Sequence, residues 1–312
     1  MKQIFTVTLN PAIDLHYEIE ALLVGQESYA ARLLCQAGGK GVNISRALTV
    51  NGEKQTAYIL MGRDNSDSFE SMLRRDGIDF VPFYTDGRIR ENVTLHPMSG
   101  AETRISSDGY EASEASLQQI EQSLAEHTHT GDLLAFAGRC PKGMPIASVV
   151  GLLKRQVERG LRLVLDSNSM DAEALKHIRP ALIKPNEHEA KTLLGEEIGS
   201  LTDAAVAARW MVEKGLAEGV LLSMGGSGAA WSDGTRSLVA AVPKLAQPVS
   251  TVGAGDSTLA GWLAGLRQGL GIEDVLRRAL AYGTAACLTE GTAPPDKNEI
   301  PRIEKEIVIR WI

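Results

Sequence analysis

A glycine turn in the last quarter of the chain contains an aspartate that is well placed for proton transfer. Residues 250–261 read STVGAGDSTLAG, so Gly253 and Gly255 come just before Asp256, and an apolar helical pattern follows. The glycines let backbone N–H groups approach a ligand, and the positive end of the following helix dipole points to the same place. Phosphate oxygens suit such a site. A carboxylate inside it is suited to act as a general base toward a hydroxyl that attacks phosphorus.

The residues of this turn alone leave two other interpretations open. Asp256 is a favoured residue type for a helix N-cap, a role worth about 1 kcal/mol. The glycines are also compatible with a dinucleotide-binding turn, although Thr258 fills the third small position of G-x-G-x-x-G and the turn does not open the chain. The sequence contains no G-x-x-x-x-G-K-[ST] loop, so a nucleotide would not be bound in the P-loop manner.

The elements that must position this turn alternate between extended and helical patterns, which is typical of an α/β fold with a parallel sheet covered by helices on both faces. From residue 249 onward the pattern is mostly helical. The predicted strands are 56–61, 133–137, 162–166, 181–183 and 219–223, and the predicted helices include 146–158, 257–268 and 272–289.

Two stretches, about 13–36 and 88–107, interrupt the alternation. In the second, 92–96 and 102–106 flank a short turn and predict a β-hairpin. A decorative hairpin is one interpretation, and the arginines of the segment favour a lid over a ligand. No linker or repeat marks a second unit, so residues 1–312 are predicted to form one domain with a small antiparallel β lid.

Composition and charge narrow the class of protein. Of the 312 residues, 44% are hydrophobic and 23% are charged, and no uncharged apolar run approaches the length of a membrane span. The N-terminal apolar run is too short for a signal peptide and predicts a buried strand. The net charge of −7 argues against a general nucleic-acid surface. Three cysteines without C-x-x-C spacing indicate neither a disulfide framework nor a zinc site, and we expect a cytoplasmic protein.

Several segments resemble, in order along the chain, the PfkB family of ribokinase-like carbohydrate kinases. The turn at 253–256 resembles the family signature, and TLNPAID at 8–14 and GGKGVN at 38–43 are similar to the 1-phosphofructokinase and tagatose-6-phosphate kinase branch. The resemblance spans nearly the whole chain. It implies a ribokinase-like fold, which is a three-layer α/β/α arrangement with a mostly parallel central sheet.

The resemblance also implies that the N-terminal segments bind a sugar phosphate. Asp14, Gly39 and Asn43 would bind sugar hydroxyls, and Lys40 would bind the phosphate that the substrate already carries. The residue types fit, because Asp accepts hydrogen bonds from two hydroxyls and Lys is a point charge for phosphate. Taken singly, Lys40 is equally a solvated lysine at a helix start, and Asp14 is equally a turn residue.

The lid and the loop after strand 133–137 complete the implied substrate site. Residues 88–93 read RIRENV and resemble the family's Thr-Arg-x-Asn-Val, which implies Arg90 as a phosphate ligand and Asn92 beside the sugar. Where relatives commonly read Ser-Gly-Ser-Leu-Pro-Pro-Gly, residues 137–143 read AGRCPKG. Arg139 could add a guanidinium fork to the phosphate or be a plain surface arginine. The predicted substrate-binding residues are Asp14, Gly38, Gly39, Lys40, Asn43, Arg90, Asn92 and Arg139.

ATP and Mg²⁺ are the cofactors that the resemblance implies. KPNEHE at 184–189 matches the family's K-P-N-x-x-E, whose Asn and Glu organise Mg²⁺ and nucleotide phosphates, and SMGGSG at 223–228 resembles its nucleotide loop. On residue type alone, Asn186 is a helix cap and Glu189 a first-turn acid. The predicted nucleotide-binding residues are Lys184, Asn186, Ser223, Gly225, Gly228, Thr251, Gly253 and Gly255, and the predicted metal site is Asn186 and Glu189.

These segments together predict a kinase in which Asp256 takes the proton of the attacking hydroxyl. The backbone amides of Ala254, Gly255 and Asp256 would stabilise charge on the transferring phosphoryl group. The predicted catalytic residues are Asp256, Gly253, Ala254 and Gly255. The expected reaction converts fructose 1-phosphate to fructose 1,6-bisphosphate, with tagatose 6-phosphate and fructose 6-phosphate as alternatives. Two other classes stay open: a non-catalytic regulator, which would lack the catalytic acid, and a dinucleotide oxidoreductase, which would bind NADH. The expected partners are the sugar phosphate, ATP and a second copy of the chain that pairs through the lid, with no nucleic acid or membrane.

Overall fold

Strands and helices alternate along most of the chain in the computed structural model, which describes residues 2–312. The strands are β1 (Ile4–Thr8), β2 (Ala12–Ile19), β3 (Ala30–Gly38), β4 (Thr56–Gly62), β5 (Phe80–Thr85), β6 (Arg90–Pro97), β7 (Thr103–Ser106), β8 (Leu133–Ala137), β9 (Arg162–Asp166), β10 (Leu182–Ile183), β11 (Val220–Ser223), β12 (Ala229–Ser232), β13 (Ser237–Ala241) and β14 (Val308–Trp311). The helices are α1 (Lys40–Val50), α2 (Ser66–Arg75), α3 (Glu114–His127), α4 (Ile146–Glu158), α5 (Ala172–Ile178), α6 (Glu187–Leu194), α7 (Leu201–Glu213), α8 (Ala254–Arg267), α9 (Ile272–Ala286) and α10 (Ile300–Glu306).

The bounds of some elements follow directly from the sequence pattern, whereas the start of α8 does not. Strands β8 and β9 and helix α4 have the predicted residues. Helix α8 begins three residues before the predicted start, because Gly253 adopts a left-handed φ of 78° and is its N-cap. Asp256 therefore lies inside the first turn of α8, and the interpretation of Asp256 as the N-cap is wrong.

The large sheet has ten strands in the order β14-β13-β12-β11-β10-β9-β8-β1-β4-β5. The pairs from β11 to β5 are parallel, and β12, β13 and β14 extend the sheet in antiparallel fashion. Strands covered on both faces read as continuous apolar runs, and every residue of β1 and β8 is buried. Leu134 and Phe136 of β8 belong to one apolar cluster, and Leu133 and Ala135 belong to another. Helices thus cover both faces, which gives the three-layer α/β/α fold.

The small sheet has four strands in the order β3-β2-β6-β7. Strands β2 and β3 form one antiparallel hairpin and β6 and β7 form another, whereas the inner strands β2 and β6 pair in parallel. Sequence analysis did not predict this inner pairing. Its register places Asp14 opposite Asn92, so the two stretches that interrupt the alternation meet at two predicted substrate-binding residues.

The carboxyl ends of the parallel strands converge on one edge of the large sheet. Strand β1 lies between β4 and β8. The strands β4 and β5 extend the sheet on one side of β1, and β8 and the strands after it extend the sheet on the other side, so the strand order reverses at β1. Ligands of open α/β sheets bind in the crevice outside such a switch point. Asp166 ends β9, Lys184 directly follows β10 and Ser223 ends β11. This edge of the sheet therefore brings Asp166, Lys184 and Ser223 to the same side of the molecule.

The described residues contain neither a membrane-spanning helix nor a disulfide bond. Within residues 2–312, no helix combines the length and the apolar character needed to cross a membrane. Cys35, Cys140 and Cys287 are all free thiols. The stability of the fold therefore comes from its apolar core and not from a disulfide framework.

Candidate active site

Asp256 is a buried carboxylate in the first turn of α8. Only 6% of the residue is exposed, and its Oδ2 accepts a hydrogen bond from Asn43 Nδ2 at 2.8 Å. Burial, and next the neighbouring Asp166 carboxylate, raise the pKa of Asp256 to about 6. Such a group is ionised at neutral pH and is a stronger base than an ordinary aspartate. Its position and pKa fit a general base.

The backbone of the same turn offers N–H groups to an anion. The first N–H groups of a helix have no acceptor within the helix, and the bond from Ser257 N–H to Gly253 O is the first of the regular series. The N–H groups of Gly255 and Asp256 precede that series. The N–H of Ala254 makes a long bond of 3.4 Å to Thr251 O. Of the predicted amides, those of Gly255 and Asp256 are therefore the better placed for an oxyanion.

Asp166, which sequence analysis did not single out, joins two lysines beneath this turn. It is 4% exposed at the end of β9. Its Oδ1 accepts a hydrogen bond from Lys40 Nζ at 2.8 Å, and its Oδ2 lies 3.2 Å from Lys184 Nζ. Burial alone would raise the pKa of Asp166, but the two lysines lower it below its ordinary value. The sequence did carry a signal for Asp166, because an acidic residue at the end of a buried parallel strand lies at the sheet edge where ligands bind.

Lys184 is held against the catalytic turn. It is 6% exposed, and a Cβ at Gly255 would lie 3.1 Å from Lys184 Nζ. The absence of a side chain at Gly255 thus leaves room for the ammonium group beside the backbone amides. A buried ammonium next to free N–H groups is a strong attractor for phosphate oxygens.

The start of α1 links the predicted sugar site to the catalytic turn. Gly39 is its N-cap with φ 113°, Lys40 is its first residue, and Asn43 lies one turn later. Lys40 reaches Asp166, and Asn43 reaches Asp256. Although burial lowers the pKa of Lys40, the Asp166 carboxylate raises it above the ordinary value, so its ammonium is charged. One helical turn therefore brings predicted substrate-binding residues into contact with Asp166 and with the predicted base Asp256.

Asp14 and Asn92 meet across the small sheet. Asn92 Nδ2 donates to Asp14 Oδ1 at 2.7 Å. A Cβ at Gly38 would lie 2.0 Å from Asp14 Oδ2, so a glycine is required for the carboxylate to occupy this place. Fixed in this way, the carboxylate and amide can accept and donate hydrogen bonds to neighbouring sugar hydroxyls.

Arg90 and Arg139, the predicted phosphate ligands, lie near enough for their charges to act on each other, and Arg139 is exposed. Arg90 Nη1 donates to Asn92 Oδ1 at 3.1 Å, whereas its buried Nε makes no hydrogen bond to the described residues. Burial, and next the charge of Arg139, lower the pKa of Arg90. Two repelling guanidinium groups and a buried donor without an acceptor favour binding of an anion between them.

The two predicted nucleotide segments lie side by side. Asn186 caps α6, and the cap hydrogen bonds are Glu189 N to Asn186 Oδ1 at 2.9 Å and Asn186 N to Glu189 Oε2 at 3.0 Å, which confirms the cap interpretation of Asn186. Ser223 N–H donates to Pro185 O at 3.0 Å and joins the second segment to the first. Gly228, with φ 118°, lies so close to Ala240 that a Cβ would be 1.9 Å from its carbonyl oxygen.

The glycines of this second segment leave its backbone open. Residues Gly225–Ser227 form a single 3₁₀ turn, and a Cβ at Gly225 would meet no atom within 4 Å. Thr251, on the approach to the catalytic turn, is exposed. These positions offer an open backbone surface of the kind that a flat ring can cover.

The residues present fit a magnesium ion held largely by phosphates. Within residues 2–312, no group of three or more His, Cys, Asp or Glu side chains is arranged to hold a metal. Mg²⁺ in phosphoryl-transfer sites is usually held by one or two carboxylates together with waters and phosphates. Glu189 uses only Oε2 in the helix cap, so its other oxygen can meet such an ion directly or through water.

Known proteins match the chain over nearly its whole length. The pattern described as pfkB family carbohydrate kinase matches residues 7–299, which include every predicted site residue. A 1-phosphofructokinase of Vibrio cholerae is 32% identical over 308 residues, covering 99% of this chain and 96% of that protein. The ATP-dependent 6-phosphofructokinase isozyme 2 of Escherichia coli is 29% identical over 299 residues, covering 94% of each. The crystal structure of phosphofructokinase-2 from Escherichia coli, in complex with substrates and products, has a TM-score of 0.88 at 27% identity and covers 97% of this chain and 98% of that one.

Proposed function

The chain belongs to the pfkB family of carbohydrate kinases, and from this premise we propose that it phosphorylates fructose 1-phosphate to fructose 1,6-bisphosphate. It is a sugar kinase that uses ATP as the phosphoryl donor. The observation that carries the proposal is the hydrogen bond from Asn43 to Asp256, which joins the start of α1, the predicted sugar-binding segment, to a buried carboxylate with a raised pKa. The regulator and oxidoreductase alternatives lack any comparable support.

The proposed chemistry uses groups that are already oriented. Asp256 accepts the proton of the attacking sugar hydroxyl, and Asn43 fixes the carboxylate that receives it. The N–H groups of Gly255 and Asp256, with the Lys184 ammonium, stabilise charge on the transferring phosphoryl group. Asp14 and Asn92 orient the sugar, so that the reacting oxygen reaches the base in a productive geometry.

The choice of fructose 1-phosphate rests on sequence likeness, whereas the position of the arginines supports a phosphorylated sugar in general. Arg90 and Arg139 would hold the phosphate that the sugar already carries, and Asp256 would face the hydroxyl at its other end. Fructose 6-phosphate and tagatose 6-phosphate place a similar phosphate at a similar distance. They therefore remain the alternatives, and the identity to a 6-phosphofructokinase is only slightly lower than that to a 1-phosphofructokinase.

A substrate panel tests the proposal. With Mg-ATP and coupled detection of ADP, we expect kcat/KM to be highest for fructose 1-phosphate among fructose 1-phosphate, fructose 6-phosphate, tagatose 6-phosphate and fructose. Arg90→Ala, Arg139→Ala and Lys40→Ala should each raise KM for the sugar phosphate about 10- to 100-fold, since a charged hydrogen bond contributes about 1.5–3 kcal/mol. Arg88→Ala, in an exposed pair with Glu91, is the control. Preference for another phosphate would correct the substrate, and no turnover with any sugar would refute the proposal.

We propose that Glu189, with Asn186, is the protein's contact to Mg²⁺. When bound, the ion neutralises the nucleotide phosphates and aids departure of the leaving group. Glu189→Gln keeps a residue type that completes the capping box but removes the charge. We expect the Mg²⁺ concentration at half-maximal rate to rise about tenfold, measured at saturating ATP. Glu187→Gln, on the same first turn, is the matched control, and equal requirements in both variants would contradict the assignment.

We propose that the four-stranded sheet is both the lid and a dimer surface within one functional domain. Its strands and turns expose Tyr29 (78%), Leu33 (51%) and Ile105 (59%), large apolar groups that a second copy could cover. We expect a homodimer by sedimentation velocity, and Leu33→Glu should shift the protein toward monomer. A wild-type monomer at micromolar concentration would refute this assembly.

A further inference from the structure

A lysine in the loop after β8 pairs with Asp108, a carboxylate that lies near the two predicted phosphate-binding arginines. Lys142 comes three residues after Arg139, in the segment that departs from the family pattern. Its Nζ lies 2.7 Å from Asp108 Oδ2. The next residue, Gly109, turns over Arg90 with φ 82°, and a Cβ there would lie 2.9 Å from Arg90 Cβ. Asp108 therefore lies next to Arg90, and its pairing with Lys142 brings that lysine to the edge of the arginine cluster.

The backbone fastens the two loops that carry this pair. Ala112 N–H donates to Lys142 O at 3.0 Å, and Glu111 forms an isolated β-bridge with Lys142. A Cβ at Gly143 would lie 3.3 Å from Ala112 O, so the loops are in close contact. The backbone thus holds the two loops together, so Asp108 and Lys142 are within reach of each other.

The charges of this cluster suit a doubly charged anion. Hydrogen bonding to Lys142 lowers the pKa of Asp108 most, and the charges of Lys142, Arg139 and Arg90 lower it further. Three cations therefore surround one carboxylate. The excess positive charge suits a phosphate monoester dianion better than a neutral hydroxyl or a single carboxylate.

We propose that Lys142 is a third ligand of the phosphate that the sugar already carries, and that Asp108 sets substrate selectivity by competing with that phosphate for Lys142. This inference rests on the proposed function of the same site. Side chains of Lys142 and Asp108 are 60% and 62% exposed, and such exposed pairs are weak. A phosphate dianion outcompetes the carboxylate, whereas a sugar acid gains little because it offers the same charge as Asp108. The pair thereby favours phosphorylated sugars.

Three variants test this with kinetics. Asp108→Asn should lower KM for the phosphorylated sugar about three- to fivefold, because it removes the competing carboxylate. Lys142→Met should raise KM about tenfold with little change in kcat. Combined with Lys142→Met, the Asp108→Asn change should lower KM less than it does alone, since Asp108 acts through Lys142. Lys176→Met and Glu173→Gln, from an exposed pair with the same 2.7 Å separation, are the controls.

Calorimetric titration with inorganic phosphate and with gluconate, in the absence of ATP, separates this inference from the proposed function. We expect phosphate to bind more tightly to Asp108→Asn and more weakly to Lys142→Met, and gluconate affinity to increase more than phosphate affinity in Asp108→Asn. Phosphate binding that responds in this way supports the inference even if no sugar is turned over. If the protein turns over a sugar phosphate, but neither Asp108→Asn nor Lys142→Met alters KM or the affinity for phosphate, the inference is overturned and the proposed function stays intact.

Discussion

Replacing Asp256 by Asn should lower the turnover number by about 10²–10⁴ with little change in the affinity for either substrate. Asn has the same shape, and its carbonyl oxygen can accept the hydrogen bond that Asn43 donates. The variant therefore loses the base without losing the structure of the turn. Single-turnover kinetics with saturating Mg-ATP measure the effect on chemistry directly. Asp274→Asn, in the first turn of α9, is the control, and turnover of Asp256→Asn close to wild type would exclude Asp256 as the base.

The pH dependence of activity and stability should follow the same residue. Since the pKa of Asp256 is about 6 in the protein without substrates, the wild-type kcat/KM should fall as the pH drops below that value. The pKa of Asp256 in the folded state exceeds the ordinary value of 3.8 that it has in the unfolded state. As the pH rises from 3.8 to about 6, Asp256 therefore ionises in the unfolded state first, and the free energy of unfolding decreases over this range. The two pKa values differ by about 2 units, which corresponds to about 3 kcal/mol above pH 6. Asp256→Asn should lack this loss, so urea unfolding at pH 7.5 should show a more stable but inactive protein.

Replacing Asp166 by Asn should destabilise the fold by about 3–5 kcal/mol at neutral pH, the usual cost of removing one partner from a buried ion pair. Asp166 is paired with Lys40 and Lys184, and Lys184 would be left as a buried charge without its carboxylate. Urea or thermal unfolding measures the effect. Because the pKa of Asp166 is lowered, this stabilisation is present above the pKa of the unfolded state and is lost as the pH falls through the folded-state pKa.

A double variant and a pH profile show whether Asp166 also acts on the chemistry. Lys184→Met added to Asp166→Asn should restore part of the stability, because it removes the uncompensated charge. In Asp166→Asn, the acidic limb of the remaining activity should move to lower pH, since Asp256 loses a neighbouring negative charge. Unchanged stability together with an unchanged limb would show that Asp166 neither supports the fold nor tunes the base.

Local signals were sufficient for several of the elements and for some of the site. Glycines followed by an apolar run identified the turn at Asp256, and a carboxylate in an anion-binding turn already indicated a base. Buried parallel strands read as apolar runs, which is why β8 and β9 could be bounded from the sequence. Asn186 followed by Glu189 predicted a helix cap, since both bonds of a capping box join residues three apart.

Contacts between distant segments were beyond such signals. Strands β2 and β6 pair in parallel and bring Asp14 opposite Asn92, but nothing in the sequence of either strand indicates this pairing. In the sequence, Asp166 is only the last residue of a predicted strand. Its contacts with Lys40 and Lys184, one on each carboxylate oxygen, exist only in the folded chain. The pairing of Lys142 with Asp108 depends on two loops that the backbone brings together.

The sequence by itself thus determined the fold class and the glycine turn that carries Asp256, because these depend on periodicity and on neighbours within one turn or strand, whereas most of the other predicted site residues came from the resemblance to the family. Only the tertiary structure decided which charges meet. Asn43 and Asp256 are 213 residues apart in sequence, and Lys40 and Asp166 are 126 apart. The physical reason is that burial and Coulomb interactions depend on distance through space, so the pKa of Asp256 and the pairing of the two lysines follow from the packing of the strand ends.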